Sequence, residues 1–139
     1  MSLHELLERA KAASGPDREL DAEIEHAARF QRGLSLGLKP DQIAVWNHVG
    51  NGYVESHGTR YASPAYTASI DAAVALISRV LPGLYMWQLE FDDEPTDCPY
   101  MARLYTTNGA PSGVSESGPT APLALIVALL EAKIAEDKL

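Results

Sequence analysis

YTASIDAAVALISRVLPG, residues 66–83, runs directly into LYMWQLEF, residues 84–91, and this stretch decides the fold. Apolar residues recur at helical spacing in the first part, which predicts a helix. Thr67 is its predicted N-cap, because the hydroxyl can accept a hydrogen bond from a first-turn amide. Pro82 and Gly83 end the helix, since proline cannot continue it and glycine tolerates the turn. The second part alternates between two partly apolar faces, so we expect a strand in the middle of a sheet covered on each side.

Three other segments have the pattern of amphipathic helices: residues 2–13, residues 16–32, and a final helix capped by Thr120. Acidic residues on the second of these helices are predicted to form a solvated face. The final helix has one main apolar stripe, formed by Leu123, Ile126, Val127, Leu130 and Ile134. Leu125 and Leu129 give it a second apolar side. That side predicts contact with another helix or with another subunit, as well as with the sheet.

The remaining strands predict the architecture. Two short runs within residues 42–57 can pair as a hairpin, because the Gly-Asn-Gly sequence between them permits positive φ. Residues 100–106 should return antiparallel to residues 84–91. Residues 108–119 are rich in Gly, Ser and Pro, which predicts a loop. We therefore predict one α/β domain of the α+β type, spanning residues 1–139. It is a three-layer alpha-beta-alpha sandwich with a small, mainly antiparallel sheet and a hairpin insertion.

Composition narrows the possible partners. The 139 residues carry a formal net charge of −8, so the overall field repels nucleic acid and anionic membranes, although a local basic pocket remains compatible with it. Cys98 is the only cysteine, which rules out an intrachain disulfide and favours a reducing compartment. The N-terminus has no secretory signal pattern, and residues 123–130 are too few to span a bilayer. These features predict a soluble protein.

Three separated blocks resemble one family. They are SGPDRELDAEI at 14–24, PAYTASIDAAVALI at 64–77 and TAPLALIVALLEAKI at 120–134. Together they resemble the phage ABA sandwich domain, whose members carry similar blocks in this order. The resemblance implies an α/β sandwich, a phage or prophage origin, and hence the cytoplasm of the bacterial host. It implies no activity. The chain departs from the family in a longer 33–63 insertion and an extended final helix.

No catalytic signature is present. His48 and His57 could converge across the hairpin to bind a metal, but surface or packing histidines explain them better. The acidic residues within 92–97 lack the glycine-centred spacing of a calcium loop, which indicates a solvated turn. Cys98 lies among acidic residues, which disfavours a thiolate nucleophile there. We therefore predict that the protein is not an enzyme and uses no metal and no cofactor.

One region combines aromatic rings with Arg and Asn, the residue types that stack bases and hold phosphate or carboxylate groups. Arg103, from the second strand of the sheet, could join this region. The candidate ligand-binding residues are Trp46, Asn47, His48, Tyr53, Arg60, Tyr61 and Arg103. The alternative is that the aromatic residues pack the hairpin onto the sheet and that Arg60 is simply exposed.

Two functions follow as hypotheses. The first is non-catalytic binding of a small anionic, nucleotide-like ligand by a phage or prophage accessory protein. Such a protein resembles, in size and way of life, the phage sponges that sequester host immune signals as a counter-defence. The alternative is a homo-oligomeric interaction or assembly protein of a phage with no small ligand. In either case we expect a homo-oligomer through the C-terminal helix, and neither duplex nucleic acid nor a membrane as partner.

Overall fold

The computed structural model describes residues 2–43, 47–48, 50, 52–56, 59–93, 96–106 and 114–137. Within these residues the chain forms four α-helices and two three-stranded antiparallel sheets. The helices are α1 (Leu3–Ala12), α2 (Arg18–Ser35), α3 (Ile70–Val80) and α4 (Ala121–Asp137). The hairpin sheet contains β1 (Asn47–His48), β2 (Tyr53–Ser56) and β3 (Thr59–Ala62). The main sheet contains β4 (Leu84–Phe91), β5 (Tyr100–Thr106) and β6 (Val114–Gly118).

Helix α4 is the centre of the molecule. It packs against β5 and β6 of the main sheet and also against α1 and α3. Because it is covered on both sides, every residue from 121 to 130 is buried. Leu125 and Leu129 are therefore inside the core of a single chain. Of the two contacts predicted for their side of α4, another helix or another subunit, the contact with other helices is present. The homo-oligomer itself stays a prediction.

Several sequence predictions are confirmed. The protein is a mixed α+β sandwich with small antiparallel sheets. β1 pairs with β2 as the hairpin predicted within residues 42–57, and β5 returns antiparallel to β4. Thr120 caps α4, because its hydroxyl accepts a hydrogen bond from the Leu123 amide at 3.3 Å. None of the helices in the described part of the chain has the length and apolar character needed to cross a membrane.

The position of β4 in the sheet differs from the prediction. The strand order is β4-β5-β6, so β5 is central and β4 lies at an edge. Met86, Trp87 and Phe91 are exposed on β4, although their pattern is typical of a covered strand. Residues 114–118, which the Gly, Ser and Pro content assigned to a loop, form β6 instead. Serine and glycine are tolerated there because β6 is the other edge of the sheet.

The start of α3 also differs from the prediction. Ser69, not Thr67, is the N-cap, and its hydroxyl accepts a hydrogen bond from the Ala72 amide at 3.1 Å. Thr67 lies before the helix and is completely buried. Both residues are good caps by type, so local sequence could not separate them. The tertiary contacts of Thr67 explain why it is not the N-cap.

Candidate functional site

Two acidic residues on α2 form the buried polar core of the molecule. Asp21 is fully buried, and one of its carboxylate oxygens accepts hydrogen bonds from both the amide and the hydroxyl of Thr67, each at 2.8 Å. Its other oxygen accepts one from the Arg18 guanidinium at 2.8 Å. A buried carboxylate is tolerated only when it is paired and hydrogen-bonded in this way. Asp21 therefore ties α2 to the segment before α3.

Glu25, one turn further along α2, is also buried. Its carboxylate accepts hydrogen bonds from the Tyr66 hydroxyl and the Arg79 guanidinium, both at 2.8 Å, and from Arg29 Nε at 3.4 Å. Burial raises the pKa of Tyr66, and the negative charge of Glu25 raises it further, so the phenol remains a donor. Desolvation lowers the pKa of Arg79, but the hydrogen bond that its guanidinium donates to Glu25 and the negative charge of that carboxylate outweigh this and leave the pKa raised. Glu25 thus joins α2 to α3.

These contacts explain two of the sequence blocks in physical terms. Asp21 belongs to the GPDRELD block, and Thr67 belongs to the YTAS block. The prediction that Asp21 and Glu25 form a solvated face is therefore wrong. Their partners lie 41 to 54 residues away in sequence, except for the neighbouring arginines on α2, so a local helical pattern cannot reveal them.

A basic cleft lies where the C-terminal halves of α2 and α4 meet the end of α3. It consists of two adjoining openings of about 390 and 360 Å³ that share Ala28, Arg32 and Arg79. The cationic side chains that line it are Arg29, Arg32, Arg79 and Lys133. They come from three different helices, so the fold alone brings these charges together.

The charges of the basic cleft are only partly balanced. Arg29 and Arg79 both pair with the carboxylate of Glu25, and Lys133 pairs with Glu136 at 3.3 Å. Arg32 is exposed, and in the described ranges no carboxylate lies within salt-bridge distance of its guanidinium. The carbonyl ends of the helices place partial negative charge nearby and offset part of the excess. Among the described residues that line the cleft, cations outnumber carboxylates.

An apolar wall borders the same cleft. Leu36 is 69% exposed and Leu38 is 42% exposed, and both line the second opening together with Ile43. Val80 and Pro82 line the first opening. Large exposed aliphatic side chains next to cations suit a ligand that carries both an anionic group and an apolar or flat surface.

Neither a family model, nor a curated protein, nor a solved structure matches this chain. The resemblance to the phage ABA sandwich domain therefore stays a prediction.

The hairpin sheet divides the predicted ligand-binding residues between its two faces. Tyr61 pairs with the buried Val54, and its ring lies 5.4 Å from the Arg29 guanidinium on α2. Arg60 and Tyr53 alternate with these residues and therefore belong to the opposite face. An anionic ligand at Arg60 would therefore lie on the face of Tyr53 and would not reach Tyr61.

The other predicted ligand-binding residues are spread more widely. Trp46 lies outside the described residues, and Asn47 and His48 form the backbone of β1. Arg103 is on the main sheet, where its guanidinium donates a hydrogen bond to Glu90 at 3.0 Å. Arg60 lies 3.5 Å from the Glu55 carboxylate. The two arginines proposed to grip one anion are thus on different sheets and each has a carboxylate partner.

The candidate metal sites cannot be assembled from the described residues. His57 and Glu94 lie outside them. Within the part of the chain that the structure describes, no group of three or more His, Cys, Asp or Glu side chains could hold a metal ion.

The residues of the basic cleft were not predicted from the sequence, although one signal for them exists. Arg32 and Arg79 each lie in the last turn of a helix. Basic residues are common there because they complement the helix dipole, so the pattern did not distinguish a ligand site from ordinary helix stabilisation. Only the convergence of the helix ends distinguishes them.

Proposed function

We propose that the protein binds a small amphipathic anion in the basic cleft, without turnover. The observation that carries this proposal is the Arg32 guanidinium, which is exposed and without a carboxylate partner among the described residues. Beside it, Arg29 and Arg79 both pair with the carboxylate of Glu25. In a chain of net charge −8, an anion is held only where cations are locally concentrated. The cleft meets that condition better than the hairpin does.

A nucleotide-like phosphate ester is the ligand class that fits the lining. Guanidinium groups can hold a phosphate with two parallel hydrogen bonds, which Arg32 and Arg79 could provide from adjacent helices. Leu36 and Leu38 offer an apolar surface for a base or a sugar. The volume of each opening falls within the range of about 300–1,000 Å³ that is usual for small-molecule sites.

Sequestration is the role that we attach to this binding. A protein that binds a nucleotide signal without converting it lowers the free concentration of that signal in proportion to its own abundance. The resemblance to a phage domain supports the expectation that the signal belongs to the immunity of a bacterial host. A counter-defence sponge is thus the function we propose.

Calorimetric titration tests the proposal. Wild type and Arg32→Gln are titrated with cyclic nucleotides, linear nucleotides and inorganic phosphate, and Arg60→Gln serves as the matched control. Loss of one charge-assisted guanidinium contact costs about 1.5–3 kcal/mol, so Arg32→Gln should weaken binding roughly 10- to 150-fold. Arg60→Gln should bind like wild type. Stability should stay within about 0.5 kcal/mol in both, because both residues are exposed.

Three outcomes would contradict the proposal. If Arg60→Gln loses affinity and Arg32→Gln does not, the ligand binds at the hairpin sheet. If both variants bind like wild type, neither arginine contacts the ligand. If wild type binds no anion of the panel at millimolar concentration, the sponge is excluded and the assembly protein becomes the better hypothesis.

A further inference from the structure

Strand β4 has an open edge with unusual sequence. It is one of the two edge strands of the main sheet, and it is eight residues long. Edge strands normally carry lysine, proline or bulges, or are short, because an open edge can pair with another chain. Residues 84–91 contain no lysine, arginine, proline or glycine, and their only charged residue is Glu90. The pairing register with β5 shifts once, between Leu84 and Met86, so a bulge protects only that end, and Met86 to Phe91 pair regularly. The opposite edge, β6, is five residues long and packs against α4.

Two aromatic side chains are exposed along this edge. Trp87 pairs with Leu104 and Phe91 pairs with Tyr100, so both lie on the face that packs against α4. Helix α4 lies over β5 and β6, which leaves Trp87 39% and Phe91 62% exposed. At about 150–250 Å² for each aromatic side chain, the two together expose roughly 200 Å² per chain. These two rings form an exposed apolar surface beside the edge of β4 that pairs with no strand among the described residues.

Strand β4 combines these exposed apolar side chains with an edge that has no neighbour. Within one chain it pairs only with β5 among the described residues. A second copy of the same edge would provide the missing neighbour. The backbone donors and acceptors of the two edges can pair, because a two-fold axis brings identical edges together in antiparallel orientation.

We propose that two copies of this protein pair through β4 to form one continuous six-stranded antiparallel sheet. The two-fold axis is perpendicular to the sheet and passes beside Leu89. In this register Trp87 lies opposite Phe91 of the partner subunit, on the same face. The two α4 helices then lie on one side of the joined sheet, and the aromatic pairs fill the space between them.

The charges along the edge fit this register. Gln88 lies opposite Glu90 of the partner subunit. The Gln88 oxygen accepts a hydrogen bond from the Tyr105 hydroxyl, which leaves its amide NH₂ to donate across the axis. Glu90 is paired with Arg103 in its own chain, so its charge is already balanced. Each copy has a net charge of −8, so dimerisation should strengthen as salt screens the repulsion.

Sedimentation over a concentration range tests the interface in wild type, Phe91→Lys and a matched control, Leu36→Lys. Leu36 is an apolar residue with a similar exposed fraction, but it lies beyond the C-terminal end of α2. We expect wild type to shift from 15.0 kDa towards twice that mass as concentration rises. Phe91→Lys should weaken dimerisation at least tenfold, and Leu36→Lys should leave it unchanged. Circular dichroism on dilute samples checks that each variant is folded.

A charge pair tests the register independently. Trp87→Glu should also be monomeric alone, but mixed with Phe91→Lys it should form a heterodimer, because the two new charges lie opposite each other while one native Trp–Phe contact remains. The proposal is overturned if wild type keeps the mass of one chain at all concentrations, if Leu36→Lys dissociates the dimer as Phe91→Lys does, or if the mixture fails to associate. The interface lies outside the basic cleft, so nucleotide titration reports on the proposed function separately.

Discussion

Replacement of Thr67 by valine tests the buried polar core directly. Valine has almost the same shape as threonine but lacks the hydroxyl. In the native protein that hydroxyl donates to the Asp21 carboxylate at 2.8 Å and accepts from the Asp17 amide at 2.8 Å. The backbone amide of residue 67 still donates to Asp21 in the variant, and Arg18 still pairs with the other oxygen. The substitution therefore removes two hydrogen bonds and little else.

The expected cost follows from those two contacts. A hydrogen bond to a charged group contributes about 1.5–3 kcal/mol, and a neutral one about 0.5–1.5 kcal/mol. Since the two terms are not fully additive, we expect Thr67→Val to lower the free energy of unfolding by about 2–4 kcal/mol. If Thr67 were only a helix cap, the loss would be about 1 kcal/mol. The two explanations are thus separated by a measurable amount.

Urea unfolding followed by circular dichroism measures the difference. Thr67→Ser keeps the hydroxyl and loses one methyl group, so it should cost only about 0.8 kcal/mol. Ser69→Ala removes the observed N-cap of α3 and should cost about 0.5–2 kcal/mol. Our reasoning is wrong if Thr67→Val costs less than about 1 kcal/mol, or if Thr67→Ser is as destabilising as Thr67→Val.

Two further predictions concern a carboxyl group and a glycine. Burial, and secondarily Glu131, raises the pKa of Glu116 above its ordinary value of 4.5. A carboxyl group whose pKa is higher in the folded state than in the unfolded state stabilises the fold fully below its unfolded pKa. This stabilisation is lost as the pH rises through the folded-state pKa. Glu116→Gln should therefore be more stable than wild type in urea at pH 7, and the advantage should disappear towards pH 4; a pH-independent difference would contradict this. Gly52→Ala should be more destabilising than Gly50→Ala in thermal unfolding. Both positions have positive φ, so both substitutions strain the backbone. Only at residue 52 would the new Cβ lie 2.5 Å from the Arg18 guanidinium and displace it from the Ser63 carbonyl. Equal losses of stability in the two variants would contradict this.

The sequence by itself determined the elements whose signals are local. The alternation over residues 84–91 predicted β4 with the bounds that the structure has. The cap at Thr120 and the apolar stripe after it predicted α4. These predictions succeed because hydrogen bonding and hydrophobic periodicity within a helix or strand involve residues close in sequence. The antiparallel pairing of β4 with β5 followed from the short connection between them.

Only the tertiary structure decided what these elements face. On α2, Asp21 has the local pattern of an exposed acid, and it is buried because Thr67 supplies donors from 46 residues away. The edge position of β4 depends on which strands follow it, since alternation gives a strand's faces but not its neighbours. The basic cleft exists because α2, α3 and α4 come together near their C-terminal ends. Each of these features joins residues that are distant in the chain. A local sequence pattern cannot predict such contacts, because they form only when the helices and strands pack together.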